Sequence, residues 1–318
     1  MYVVFCSEQL DGLASASIIF RLARLRSTNC KIGGFINYNT INEDFNELLK
    51  LKGDLIFILD ISPEQIINLD EKLLQISKSN KIVYWNSHHK FNSKTREIIK
   101  KYTNEVDFSG GLLNYNMEKE KICSAELTCK RFIPNDFIAK QLAYIAHDIE
   151  FWVKKDERST KLTDLINSGF DKKELVEIIS RGVFWSSRFD IIRNAYLEKK
   201  QRALMDLNVN IKIKNYLRYR FGFALASNLL NSADAGEAIL RLNQNIDVAV
   251  LIFRNAKISF RKNNNCSLNL LEIAKLFSGG GHNYAAGGKL ENFKIINNDN
   301  FENAIFTVDH KIKDFFLK

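Results

Sequence analysis

Apolar and polar positions in the first half of the chain switch between two periods. Tyr2–Cys6 is an unbroken apolar run that reads as a buried strand, and after a polar loop apolar residues recur at helical spacing from about Ala14 to Arg26. Leu55-Ile56-Phe57-Ile58-Leu59 is a second such run, ending on Asp60, and Lys81–Trp85 is a third, ending just before Asn86-Ser87-His88-His89. Between them Ser62-Pro63-Glu64-Gln65 predicts a helix start, with Ser as N-cap, Pro at the first helical position and Gln completing a capping box. Apolar strands separated by helical segments predict an α/β domain with a mainly parallel sheet flanked by helices. Three strands then deliver polar, metal-capable residues to the carboxyl edge of the sheet, where open α/β sheets bind ligands.

From about Ser124 to Arg202 the pattern is mostly helical, and the charged stretch Tyr196–Arg202 reads as an interdomain connector. After Leu207 the periodicity changes again. Asn208–Ile213, Phe221–Ala226, Asp247–Phe253 and Lys257–Arg261 read as strands, with helices near Ala233–Arg241 and Leu268–Phe277 and a hairpin turn at Arg254-Asn255-Ala256. The expected organisation is an N-terminal domain over 1–185, a helical connector over 186–206 and a smaller α/β domain over 207–318.

Composition narrows the class. A chain of 318 residues that is 46% hydrophobic can bury two cores. Its longest apolar stretches, such as Val248–Phe253, are strand-length, well short of the roughly 20 residues of a membrane span. The N-terminus lacks a basic region and soon meets Glu8 and Asp11, which argues against a signal peptide and for a cytoplasmic protein without membrane partners. Five scattered cysteines with no C-x-x-C pair predict free thiols rather than a zinc knuckle or disulfides. The formal net charge of +9 permits binding to a polyanion through counterion release, although solvated lysines give the same count.

Five of the 15 glycines fall within Gly279-Gly280-Gly281-His282-Asn283-Tyr284-Ala285-Ala286-Gly287-Gly288. Such a run lets backbone approach a ligand closely, and its N–H groups can form an anion-binding concavity. A tight turn at a helix–strand contact is the competing reading. The string resembles the G-G-G-H-x-x-A-A-G signature of the DHH-associated C-terminal domain. Its flanks agree, with Ile258-Ser259-Phe260-Arg261 resembling the family's S-x-R strand and Leu271–Lys275 the helix leading into the glycines. The resemblance implies that Gly279, Gly280, Gly281, His282 and Arg261 contact single-stranded nucleic acid or nucleotide phosphate.

The strand-end loops of the first domain resemble the four motifs of the RecJ-like DHH phosphoesterases: H-x-D-x-D-G, a strand-terminal Asp, D-H-H and a later Asp. Here they read Ser7-Glu8-Gln9-Leu10-Asp11-Gly12, Asp60, Ser87-His88-His89 and Asp148. The family's chemistry is similar to two-metal hydrolysis, in which paired divalent ions about 3.5–4 Å apart clamp the attacking and leaving oxygens. Such ions take carboxylate and imidazole ligands. Ser7, Gln9 and Ser87 stand where the family has His, Asp and Asp, so no catalytic residues are expected at these positions. One ion's ligands, matching Asp11, Asp60, His88 and Asp148, remain. The resemblance therefore implies no metal, or one weakly bound Mn²⁺ or Mg²⁺. Without a metal, Asp11 and Asp60 remain as hydrogen-bond acceptors at strand ends and His88 as a satisfied buried histidine. His89 corresponds to a phosphate contact, with a plain surface histidine as the alternative, and Glu8 is the nearest acid able to stand in for a lost ligand.

These departures favour a non-catalytic, nucleoid-associated DNA replication factor that binds single-stranded nucleic acid. Archaea carry RecJ homologues, some with degenerate motifs, that resemble the eukaryotic helicase subunit Cdc forty-five. By that resemblance GINS and the MCM helicase are the implied partners. The alternative is an active Mn-dependent enzyme: a single-strand exonuclease, oligoribonuclease or nucleotide phosphodiesterase. A stand-alone single-strand-binding module is the third possibility.

Overall fold

The apolar runs at Tyr2, Leu55 and Lys81 become neighbouring strands of one sheet. In the computed structural model, which describes residues 1–38, 40–89, 92–108, 122–291, 293, 295 and 297–317, the chain divides into two units, Met1–Asn194 and Ala195–Lys318. The first unit begins with β1 (Tyr2–Ser7), α1 (Leu10–Leu25), β2 (Cys30–Ile36), α2 (Ile41–Asn46), β3 (Leu55–Leu59), α3 (Leu69–Ser77), β4 (Lys81–Ser87), α4 (Ser93–Tyr102) and β5 (Thr103–Phe108). The five strands are parallel in the order β2-β1-β3-β4-β5. Helices α5 (Ser124–Phe132), α6 (Phe137–Glu150), α7 (Glu157–Asn167) and α8 (Lys172–Ser180) follow, and then α9 (Ser187–Val209), within which the chain passes to the second unit.

Alternation along each strand splits the core into two layers. Val4, Cys6, Phe57, Leu59 and Tyr84 pack with α1, α5, α6 and α8, while Val3, Phe5, Ile56, Ile58 and Trp85 pack on the other face with α2, α3 and α4. Helix α1 is buried nearly all round. Its small residues Ala14, Ser15, Ala16 and Ser17 let it lie close to β1, α5, α6 and α8.

The second unit adds β6 (Lys212–Tyr216), β7 (Tyr219–Ala226), α10 (Ser232–Leu242), β8 (Val248–Phe253), β9 (Lys257–Lys262), α11 (Leu270–Lys275), β10 (Gly280–Gly281), β11 (Ala285–Lys289) and α12 (Asn298–Leu317). Its strands run β10-β11-β9-β8-β7-β6, with only β7 and β8 parallel and α10 crossing between them. The hairpin expected at Arg254–Ala256 is present, with Ala256 in the left-handed region at φ 63°. The α/β fold is as anticipated, with a parallel sheet and helices in the first unit and a second sheet in the C-terminal part. Among the described residues no helix is long and apolar enough to cross a membrane, and all five cysteines are free.

Three local expectations fail. The Ser62–Gln65 cap signal makes only a turn, closed by Ile66 N–H donating to the Pro63 carbonyl, and helix α3 starts at Leu69. The Ser62 N–H, which the Gln65 side chain would accept in a capping box, donates instead to the Tyr38 hydroxyl. The strand expected at Asn208–Ile213 is instead the end of α9, which runs to Val209, and β6 begins at Lys212. The alternating Val209 and Ile211 mimic a strand period. Helix α1 begins at Leu10, ahead of the expected Ala14, because Leu10 and Leu13 are both buried; this places Asp11 in its first turn.

Candidate functional site

Strands β1, β3 and β4 are adjacent, so their carboxyl ends bring Ser7, Asp60 and Ser87-His88 together beside Asp11 of α1. His88 is the centre of the group. Its Nδ1 lies 3.2 Å from Asp11 Oδ2 and 3.1 Å from Asp60 Oδ1, and its Nε2 lies 3.1 Å from Glu150 Oε1. Burial disfavours charge on this ring, but hydrogen bonds to Asp11, Asp60 and Glu150 outweigh it and push the pKa up to about 12. The three acidic neighbours therefore favour the charged form of the His88 ring.

Each carboxylate is held by the fold. Asp11 is fully buried and accepts the backbone N–H groups of Ser124 and Ala125 at 2.8 and 2.7 Å, so it caps the N-terminus of α5 from across the domain. Asp60 sits at φ 58°, its N–H donating to Asn86 Oδ1 at 2.9 Å. Its Oδ1 accepts from Ser124 Oγ at 2.9 Å and its Oδ2 from Ser7 Oγ at 2.5 Å. Burial, and then the neighbouring Asp11, push the Asp60 pKa up to about 6. Asn86, buried, fixes the arrangement by donating to Ser124 O and Thr128 Oγ1.

The three departures from the motif fall as follows. Ser7 is buried and spends its hydroxyl on Asp60. Gly12 packs so tightly against it that an added Cβ would come within 2.3 Å of Ser7 Oγ. Gln9 is exposed and caps nothing with its side chain. Ser87 accepts from the His89 N–H at 3.2 Å, within its own turn. Glu8 pairs with Lys172 at 2.7 Å and accepts from Asn37 at 2.8 Å, so it replaces no missing ligand in the cluster. His89 is exposed, its ring 4.1 Å from that of His88.

Asp148 lies outside the cluster. Its Oδ1 accepts Lys155 N–H at 2.8 Å and its Oδ2 accepts Ser159 Oγ at 2.5 Å. Glu150, two residues further along α6, reaches His88 in its place. Sequence reasoning missed Glu150, Ser124 and Asn86. A second acid two places from Asp148 was the available signal for the first; no motif marks the other two.

The donor set fits one divalent cation. Asp11, His88 and Glu150 offer ligand atoms within 4.8 Å of one another, as do Asp60, His88 and His89. Carboxylates with imidazole are the ligands Mn²⁺ and Mg²⁺ accept. A cation ligated by His88 must first displace the proton that its carboxylate neighbours stabilise. The two sets share His88, and the nearby hydroxyls of Ser7 and Ser87 are committed to hydrogen bonds within the protein.

In the second unit the glycine string turns from α11 through β10 into β11. Gly279 passes so close to that strand that a Cβ would lie 1.9 Å from Gly287 O, and Gly281 has φ 133°. A Cβ on Gly287 would meet Ile258 O at 2.7 Å and one on Gly288 would meet Phe277. Gly280 meets nothing within 4 Å and is exposed. Four of the five glycines are thus required by backbone packing, and Gly280 alone faces open space. His282 is exposed, its ring stacked on Tyr284 at 5.3 Å. On β9, beside β11, Arg261 packs its stem against Gly236, where a Cβ would meet its Cγ at 2.4 Å. Its Nε is buried with no hydrogen-bond partner among the described residues.

Residues 221–314 match the family model of the DHHA1 domain. No curated protein matches the chain. Among solved structures, RecJ from Thermus thermophilus in complex with Mn²⁺ superposes with a TM-score of 0.64 at 12% identity, over 99% of this chain and 52% of that one. A DHH domain from a protein described as a member of a family of ribosomal proteins gives 0.62 at 13% identity, over 98% of this chain and 86% of that one. The exonuclease RecJ bound to manganese gives 0.60 at 12% identity, over 100% of this chain and 90% of that one. The domain match covers residues 221–314, and the solved structures show a shared fold over nearly the whole chain. The chain spans about half the length of the Thermus protein.

Proposed function

We propose that this chain is a non-catalytic RecJ-like protein that binds single-stranded nucleic acid and serves as a scaffold in DNA replication, with GINS and the MCM helicase as its partners. The observation that carries the loss of catalysis is the 2.5 Å hydrogen bond from Ser7 Oγ to Asp60 Oδ2. It commits, within the protein, the side chain that stands where the family has a metal-binding His. Two-metal hydrolysis needs an ion on each side of the scissile phosphate, and the two candidate donor sets here share the one ring of His88. Binding rests on the second unit, where Arg261, on the strand beside the glycine segment, carries a buried Nε with no hydrogen-bond partner among the described residues. The net charge of +9 adds a salt-dependent attraction to phosphate. The replication role and its partners rest on the motif losses, which remove the chemistry while the phosphate-binding signature is kept.

The test is a Mn²⁺-dependent degradation and binding assay on labelled single-stranded DNA and RNA, with Asp60→Ala as the contamination control. Binding without cleavage is the expected result. Cleavage that disappears in Asp60→Ala would make the chain a one-ion phosphodiesterase and overturn the reading.

A further inference from the structure

Asp148, outside the His88 group, builds a turn. Its backbone carbonyl accepts from Val153 and Lys154 N–H, at 2.8 and 3.4 Å, while its carboxylate accepts from Lys155 N–H and Ser159 Oγ. The turn places Trp152 at φ 57° and Lys154 at φ 54°. Non-glycine residues in the left-handed region are strained and persist where their surroundings over-determine them, often at functional positions. The turn displays two apolar side chains and two lysines. Trp152 is 48% exposed and Val153 41%, and the Lys154 ammonium lies 3.6 Å from the Trp152 ring centroid. Lys154 and Lys155 are both exposed. The other two tryptophans are withdrawn: Trp85 is buried, and Trp185 is half-buried with its indole N–H on Asp190. Trp152 also follows directly on Glu150 and Phe151, whose side chains reach the His88 group, at 3.1 Å and a ring separation of 6.4 Å respectively.

An exposed indole with a cation on one face and a second lysine beside it is the chemistry that takes a nucleobase and its flanking phosphates. We propose that the turn Trp152–Lys155 is a stacking platform for single-stranded nucleic acid, with Trp152 taking a base and Lys154 and Lys155 the backbone; this rests on the nucleic-acid reading above. Asp148 is its positioning residue. Stacking tolerates any base, so the platform binds without sequence preference.

The experiment is fluorescence polarisation of the full chain with a labelled oligothymidylate and with an abasic oligonucleotide of equal length and charge. Trp152→Ala and Trp152→Phe are the variants, each checked for folding by circular dichroism. Trp152→Ala is expected to weaken oligothymidylate binding roughly 5- to 150-fold, to abolish the preference over the abasic strand, and to leave abasic binding unchanged; Trp152→Phe should fall between. Tryptophan emission quenched by oligothymidylate in the parent chain should no longer be quenched in Trp152→Phe. Parent-chain binding that Trp152→Ala leaves unaltered overturns this inference alone. Absence of parent-chain binding overturns the nucleic-acid reading and the inference with it.

Discussion

Replacing His88 with Ala is expected to lower stability by about 3–5 kcal/mol, the scale on which breaking one side of a buried ion pair acts. His88 is the cation that faces the carboxylates of Asp11, Asp60 and Glu150, with its side chain only 10% exposed. Without it three acids share one pocket with no positive partner among the cluster residues. His88→Asn keeps a donor near the position of Nδ1 but no charge, so it should recover part of the loss. The effect reads as a fall of roughly 6–20 °C in melting temperature. A fall no greater than that of a surface control such as Lys81→Ala would show that the cluster is not held together by His88.

Asp11→Ala is the second large effect, again about 3–5 kcal/mol, by a different route. The Asp11 carboxylate is the acceptor for two backbone N–H groups at the start of α5, those of Ser124 and Ala125, and all three groups are buried. Each orphaned donor costs about 1–3 kcal/mol, and His88 loses one of its partners as well. Asp11→Asn keeps a single carbonyl acceptor and should lie between the parent and Asp11→Ala in a denaturant melt. Equal stability of Asn and Ala variants would show that the capping bonds contribute little. These two predictions give the retained residues a structural role that needs no metal.

Much of this was legible in the sequence where one physical constraint acted alone. The all-apolar runs of β1, β3 and β4 are covered on both faces, so their composition gives them away. The same strands fix which loops reach the carboxyl edge. The glycine string was legible because Gly279 and Gly281 answer to backbone contacts that exclude a side chain. The failures lie where tertiary contacts compete with a local signal. Ser62 forms no capping box because the Tyr38 hydroxyl takes its N–H. Strand β2, with Lys31, Gly33 and Gly34, lies at an edge and is only partly buried, so no periodic run announces it. The choice between Asp148 and Glu150 is a matter of helix phase. Two residues along a helix rotate a side chain by about 200°, so one acid faces Ser159 and the other faces His88. Motif spacing selects the segment and leaves the phase open.

This site is expected to hold one divalent ion at most. Calorimetric titration of the full chain with Mn²⁺ tests it directly, with Asp60→Ala in parallel. The expected result is either no binding or a single weak site that Asp60→Ala abolishes. Two stoichiometric ions per chain would contradict it, since the two candidate donor sets share His88.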